Sequence, residues 1–113
     1  MEKHVALTES MYYILLSVLE PNHGYGIIQK TLELTNQRVE IGAGTLYGAI
    51  NTLLDKGWIV LFSEDKTSRK KKQYVITPLG KNVLRQEMAR LEELISNGKR
   101  QMEKEKGEAY AEA

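Results

Sequence analysis

At 113 residues the chain fits one domain, and a fold of this size buries only somewhat more than about 60% of the surface its unfolded chain exposes, so an extra helix has reason to seek a partner. The absence of cysteine excludes disulfides, thiolate metal sites and a cysteine nucleophile. No apolar stretch approaches the roughly 20 residues needed to span a bilayer, and no basic segment followed by an apolar run opens the chain, so a soluble, cytoplasmic protein without a membrane partner is expected.

The formal net charge of +1 conceals a local excess: Lys66, Arg69, Lys70, Lys71 and Lys72 lie within seven residues. Residues 78–113 carry seven basic and seven acidic side chains, so that segment is balanced and is not a general polyanion-binding tail.

Thr8 is a candidate cap for a helix running to about Leu19, with Met11, Leu15 and Val18 on one face and Ile14 and Leu19 widening it. Pro21-Asn22-His23-Gly24 breaks it. A second helix is predicted from about Tyr25 to Leu34, followed by the stop Thr35-Asn36-Gln37 and a minimal strand at Val39-Glu40-Ile41. The third should run from Ala43 to Lys56, since Leu46, Ile50 and Leu53 repeat at helical spacing and Gly57 suits the left-handed position after the helix. Its other face carries Thr45, Gly48, Asn51, Thr52 and Asp55 with Tyr47 beside them, polar or small and free to be offered outward.

Trp58 to Phe62 reads as a strand, Ser63 to Arg69 as a polar turn and Gln73 to Ile76 as the return strand. Thr77-Pro78 starts a last helix with a capping hydroxyl and a proline at its first position. Along it Leu84, Met88, Leu91, Ile95, Gly98 and Met102 follow a heptad seam, although Asn97-Gly98 could equally end the helix. The expected fold is therefore mainly α with a small β-hairpin, a winged helix-turn-helix over residues 1–77, a dimerisation helix over 78–106 and a disordered tail over 107–113.

In such a fold the third helix enters the major groove and the hairpin reaches the adjacent backbone or minor groove of double-stranded DNA. Gly44 and Gly48 permit close approach, Thr45, Tyr47 and Asn51 are candidate donors to phosphates or base edges, and Ser68, Arg69, Lys70, Lys71 and Lys72 form the candidate phosphate-binding wing. Met11, Leu15, Leu84, Met88, Leu91 and Ile95 are candidates for a homodimer seam. Tyr12 and Met88 are the candidate walls of a small-molecule effector pocket, although amphipathic packing at the dimer seam is the favoured reading of Tyr12.

The residues also resemble the PadR family of bacterial transcription regulators, in its short form with a single C-terminal helix. The resemblance rests on Leu7-Thr8-Glu9, His23-Gly24-Tyr25-Gly26-Ile27, Gly44-Thr45-Leu46-Tyr47 through Leu53 and Gly57, and Tyr74-Val75-Ile76-Thr77-Pro78-Leu79-Gly80. It implies a dimer whose C-terminal helix packs on the partner's first and last helices, setting two recognition helices toward a palindromic operator, with repression relieved by an aromatic or hydrophobic effector. Many relatives carry Ser-Pro before Gly-Thr-Leu-Tyr, whereas this chain has Gly42-Ala43 and so lacks a capping hydroxyl there. Ligand stacking between tryptophans of the last helix does not carry over, because the one tryptophan is Trp58.

No cofactor or metal site is expected. His23 in its turn suits a structural hydrogen bond, and neither it nor His4 has a ligand set. An enzyme is disfavoured, since no phosphate-cradling glycine loop and no His-Glu metal spacing occurs. The competing class is a winged-helix protein-interaction module without specific DNA binding.

Overall fold

The computed structural model describes residues 4–65 and 71–106, and the side chains of Asp65, Lys71 and Lys106 are not among those described. The elements follow in the order α1 (Glu9–Ser17), β1 (Asn22–His23), α2 (Gly24–Leu34), α3 (Ala43–Lys56), β2 (Ile59–Asp65), β3 (Lys71–Ile76) and α4 (Pro78–Lys106).

Thr8 caps α1, its side chain accepting from the Met11 amide at 3.1 Å. The helix stops before the expected Leu19. Val18 is fully buried, and its carbonyl accepts from the Ile76 amide at 2.9 Å, which draws the backbone out of the helix and onto the sheet.

The turn after Pro21 holds a strand the sequence did not signal. Asn22 pairs with Tyr74 and His23 with Gln73, so the expected hairpin is a three-stranded antiparallel sheet of order β1-β3-β2. Conversely, Val39-Glu40-Ile41 is not a strand. Asn36 and Gln37 turn the chain sharply with φ of 56° and 70°, the Val39 amide donates to Thr35 Oγ1 at 3.0 Å, and Ile41 plugs into the core. A segment whose polar and apolar groups are satisfied this way has no need of a ladder.

α3 has the predicted limits. Gly57 adopts φ 74°, its amide donating to Leu54 and the Trp58 amide to Leu53, a paired closure that only an unhindered residue accommodates without strain. Thr77 then joins three elements: its amide donates to the Trp58 carbonyl, its hydroxyl donates to the Gly57 carbonyl at 2.7 Å, and the same oxygen accepts from the Gly80 amide as the cap of α4.

Ile14, Leu15 and Val18 of α1, Ile27 of α2, Leu46, Ile50 and Leu53 of α3, and Ile59, Tyr74 and Ile76 of the sheet form one core, closed by Leu84 from α4. Each fully buried aliphatic side chain there contributes about 1.5–3 kcal/mol. The first turns of α4 thus belong to the winged-helix core, while every described side chain from Glu92 to Glu105 is exposed. The helix runs unbroken through Asn97-Gly98, so the glycine sits within it.

Candidate nucleic-acid interface

α3 is two-faced. Leu46, Ile50 and Leu53 anchor one side in the core, and Gly44, Thr45, Tyr47, Gly48, Asn51, Thr52 and Asp55 are all exposed on the other. A methyl group built on Gly44 or Gly48 would meet no atom within 4 Å, so the glycines mark open surface rather than internal packing. No side chain caps the start at Gly42; the first turn is closed by the Leu46 amide donating to the Gly42 carbonyl. The earlier amides of the turn are therefore left facing outward with the positive end of the helix dipole.

Tyr47 is half-exposed and leans back on the second helix: its hydroxyl lies where a side chain on Gly24 would begin, 2.3 Å from that position. His23 caps α2, its Nδ1 accepting from the Gly26 amide at 3.2 Å, which is a structural hydrogen bond. Tyr74, buried on β3, lies near both Tyr47 and Glu64, and burial raises its hydroxyl above the ordinary tyrosine range. Tyr47 of α3, the start of α2 and Tyr74 of β3 thus come together.

On the wing, Leu61 pairs with Tyr74, Glu64 with Lys72 and Asp65 with Lys71, with a bulge between Leu61 and Ser63. The strands run longer than the sequence indicated, taking in Ser63 to Asp65 and Lys71-Lys72. Lys72 is exposed. Ser68, Arg69 and Lys70 lie outside the described residues, and Lys71 is placed by its backbone alone.

Comparison with known proteins identifies this arrangement. The sequence model of the transcriptional regulator PadR-like family matches residues 14–86, which take in the whole helix-turn-helix, the wing and the start of α4. The chain belongs to the PadR-like family of transcriptional regulators. Among solved structures, a PadR family transcriptional regulator from Eggerthella lenta is 26% identical with a TM-score of 0.69, over 82% of this chain and 80% of that one. A transcriptional regulator from Clostridium thermocellum superposes at TM-score 0.68 with 23% identity, over 80% of this chain and 86% of its own. Bordetella bronchiseptica BpsR, whose DNA binding is regulated by 6-hydroxynicotinic acid, shares the fold at TM-score 0.61 and 21% identity, over 81% of this chain and 64% of that one. No curated protein sequence matches the chain.

PadR-like regulators are transcription factors rather than enzymes, and they bind DNA. Among the described residues no group of three or more His, Asp or Glu side chains could hold a metal ion, and no helix is long and apolar enough to cross a membrane.

The residues assigned to a dimer seam separate into two groups. Leu15 and Leu84 are 0% and 3% exposed within the chain's own core, so they stabilise the protomer and are not available as a docking surface. Their apolar periodicity was a true sign of burial, but within the chain's own core. Met11 and Leu91 are half-buried, whereas Met88, Leu94, Ile95 and Met102 are exposed along α4.

Tyr12 does line a pocket, of about 270 Å³, between the segment before α1, α1 itself and α4. Met88 is not on its wall; Glu87, Arg90 and Leu91 supply the α4 side, because Met88 points away by one helical step. The sequence reading missed Glu87. Its carboxylate is 2% exposed, with Oε1 hydrogen-bonded to His4 Nε2 at 2.7 Å and to Arg90 Nε at 3.0 Å, and Oε2 accepting from Arg90 Nη2 at 2.7 Å and the Leu7 amide at 3.2 Å. The Arg90 guanidinium, followed by these other donors, holds the carboxyl down at about 2 despite burial. The three-residue spacing of Glu87 and Arg90 signalled half of this cluster; nothing in the sequence signalled His4, which comes from 83 residues away.

Proposed function

We propose that this PadR-like regulator binds a palindromic operator as a homodimer in the cytoplasm and represses transcription, and that a small aromatic or hydrophobic effector releases it. The observation that carries the DNA-binding part is the face of α3 opposite its buried leucines. Gly44 and Gly48 face open space there, and Thr45 and Asn51 are exposed beside them. In this reading Thr45 and Asn51 reach base edges, the two glycines let the helix axis approach the groove, and Tyr47 contacts phosphate. Ser68, Arg69, Lys70, Lys71 and Lys72 contact phosphate from the wing.

The homodimer is supported by the far half of α4. A helical segment of this length with no tertiary contact is marginal in water, and it carries Leu94, Ile95 and Met102 in the open. A second copy would cover that face along the seam Met88, Leu91, Ile95, Met102, with Gly98 permitting close approach. Regulation by a small aromatic molecule is supported by the likeness to BpsR and by the pocket beside Tyr12.

The test is a fluorescence-polarisation titration against duplexes from the DNA upstream of the coding region and a scrambled control at two salt concentrations. Tighter binding to the upstream duplex, weakening with salt, is the expected result. A protein-interaction module is the second reading, favoured by the exposed run Val60, Leu61 and Phe62 on β2. Absence of duplex binding at low salt would select it.

A further inference from the structure

We propose that Gly24, at the start of α2, is a positioning residue for DNA contact: having no side chain, it seats the hydroxyl of Tyr47 and so holds it in place for a phosphate, a role that rests on the DNA-binding reading above.

Nothing in the backbone asks for glycine at this position. Among the described glycines only Gly57 takes a positive φ, and glycine is one of the poorer helix formers. Space decides instead. Gly24 is buried, and a Cβ built on it would collide with Tyr47 Oη and stand 3.0 Å from Tyr47 Cζ and 3.5 Å from Leu46 Cδ2. The end of the tyrosine thus occupies the volume that any other side chain would take. Tyr47 still keeps half of its surface open, and it shares one stripe of α3 with Gly44, Gly48 and Asn51 at helical spacing.

The start of α2 cannot back away to make room. Asn22 Nδ2 donates to the Ser17 carbonyl at 3.1 Å, and Asn22 Oδ1 accepts from the His23 amide at 2.9 Å while filling the space beside Gly26. Asn22 and His23 also pair with Tyr74 and Gln73 of β3. The junction is therefore fastened to the end of α1 and to the sheet, and α3 is anchored in the core by Leu46, Ile50 and Leu53. A side chain at position 24 is accommodated by the half-exposed tyrosine, the one partner free to swing. A hydroxyl-to-oxygen hydrogen bond spans about 2.5–3.0 Å, so displacing the end of the ring by about 1 Å forfeits it.

The experiment follows the full chain by polarisation on the upstream and scrambled duplexes at two salt concentrations, with thermal melting alongside. Gly24→Ala and Tyr47→Phe should each weaken binding about tenfold, the order of one hydrogen bond to a charged acceptor. Both duplexes should lose the same factor, since a phosphate contact carries no sequence information. The salt slope should keep the parent's value, because a neutral hydroxyl displaces no counterion, whereas Lys72→Ala should flatten it by about 0.9. In Tyr47→Leu, which removes Oη and Cζ, adding Gly24→Ala should cost no further affinity and no melting temperature. A folded Gly24→Ala with parental affinity, a loss confined to the upstream duplex, or losses that multiply in the double variant would each overturn the role. If Gly24→Ala alone does not fold, the double variant carries the test: it should fold and bind like Tyr47→Leu, and its failure to do so overturns the role as well. A parent that binds no duplex defeats the DNA-binding reading and this role with it. A parent that binds duplex while Gly24→Ala matches it defeats the role of Gly24 alone.

Discussion

Two glycines with opposite surroundings make opposite predictions. A methyl group on Gly80 would stand 2.2 Å from the Trp58 carbonyl oxygen and 2.7 Å from Ile76 Cγ1, and the oxygen cannot yield because it also accepts from the Thr77 amide. Gly80→Ala should therefore destabilise the protein by about 1–3 kcal/mol, read as a lower urea midpoint. Gly48→Ala meets open space, so it should stabilise α3 by about 0.5–1 kcal/mol while reducing duplex affinity by holding the helix away from the groove. Thermal melting and polarisation on the same variant test both signs. Glu87 makes a pH prediction. Its folded carboxyl titrates at about 2 against an ordinary 4.5, so its contribution is complete above pH 4.5 and is lost as the pH falls toward 2. The linkage limit is about 3 kcal/mol. Glu87→Gln should be clearly less stable than the parent at pH 7, with the gap narrowing by pH 3 in urea titrations. An equal gap at both values would show that the carboxylate charge contributes nothing to holding the N-terminal segment on α4.

At the scale of elements, the free half of α4 separates association from folding. Ile95 is 57% exposed, so Ile95→Asp should leave the circular dichroism and the protomer core intact while shifting sedimentation from dimer toward monomer. The same change at Leu84 would place a charge in the core and unfold the chain, which is why Ile95 is the informative site. This difference also marks how far the sequence was legible. The limits of α3 and the turn at Gly57 could be read because the apolar periodicity and the left-handed glycine agreed locally. The outward face of α3 could be read because its polar residues fell where the apolar repeat left a gap. A heptad spacing in α4, however, records only that one face is apolar. It cannot tell that Leu84 is buried in the chain's own core while Ile95 is exposed. β1 was invisible for the same reason: two polar residues, Asn22 and His23, become a strand only because β3 lies alongside them. The Glu87 cluster likewise exists through a partner at the opposite end of the chain.

In the whole molecule these elements are joined with little slack. Thr77 is the single residue between the wing and α4, and its three hydrogen bonds fix the end of α3, the start of β2 and the cap of α4 to one another. The direction of α3 is therefore set relative to α4, and a dimer formed through α4 has no loose hinge by which to adjust the distance between its recognition helices. Two-fold regulators of this type place those helices about 34–36 Å apart, one turn of duplex between half-site centres. An operator whose half-sites are moved apart by about 5 base pairs turns the second half-site to the opposite side of the helix. If the α3–α4 connection is as stiff as these bonds make it, such a duplex should fall to the affinity of scrambled DNA. It should also lose the steep salt dependence of the full contact set, each lost phosphate contact flattening the slope of log K against log salt by about 0.9. Polarisation titrations on a spacing series would read this directly. Retention of most of the affinity at the wrong phase would mean that α4 bends or that one protomer suffices, and would place the flexibility beyond Leu84, where α4 leaves the core.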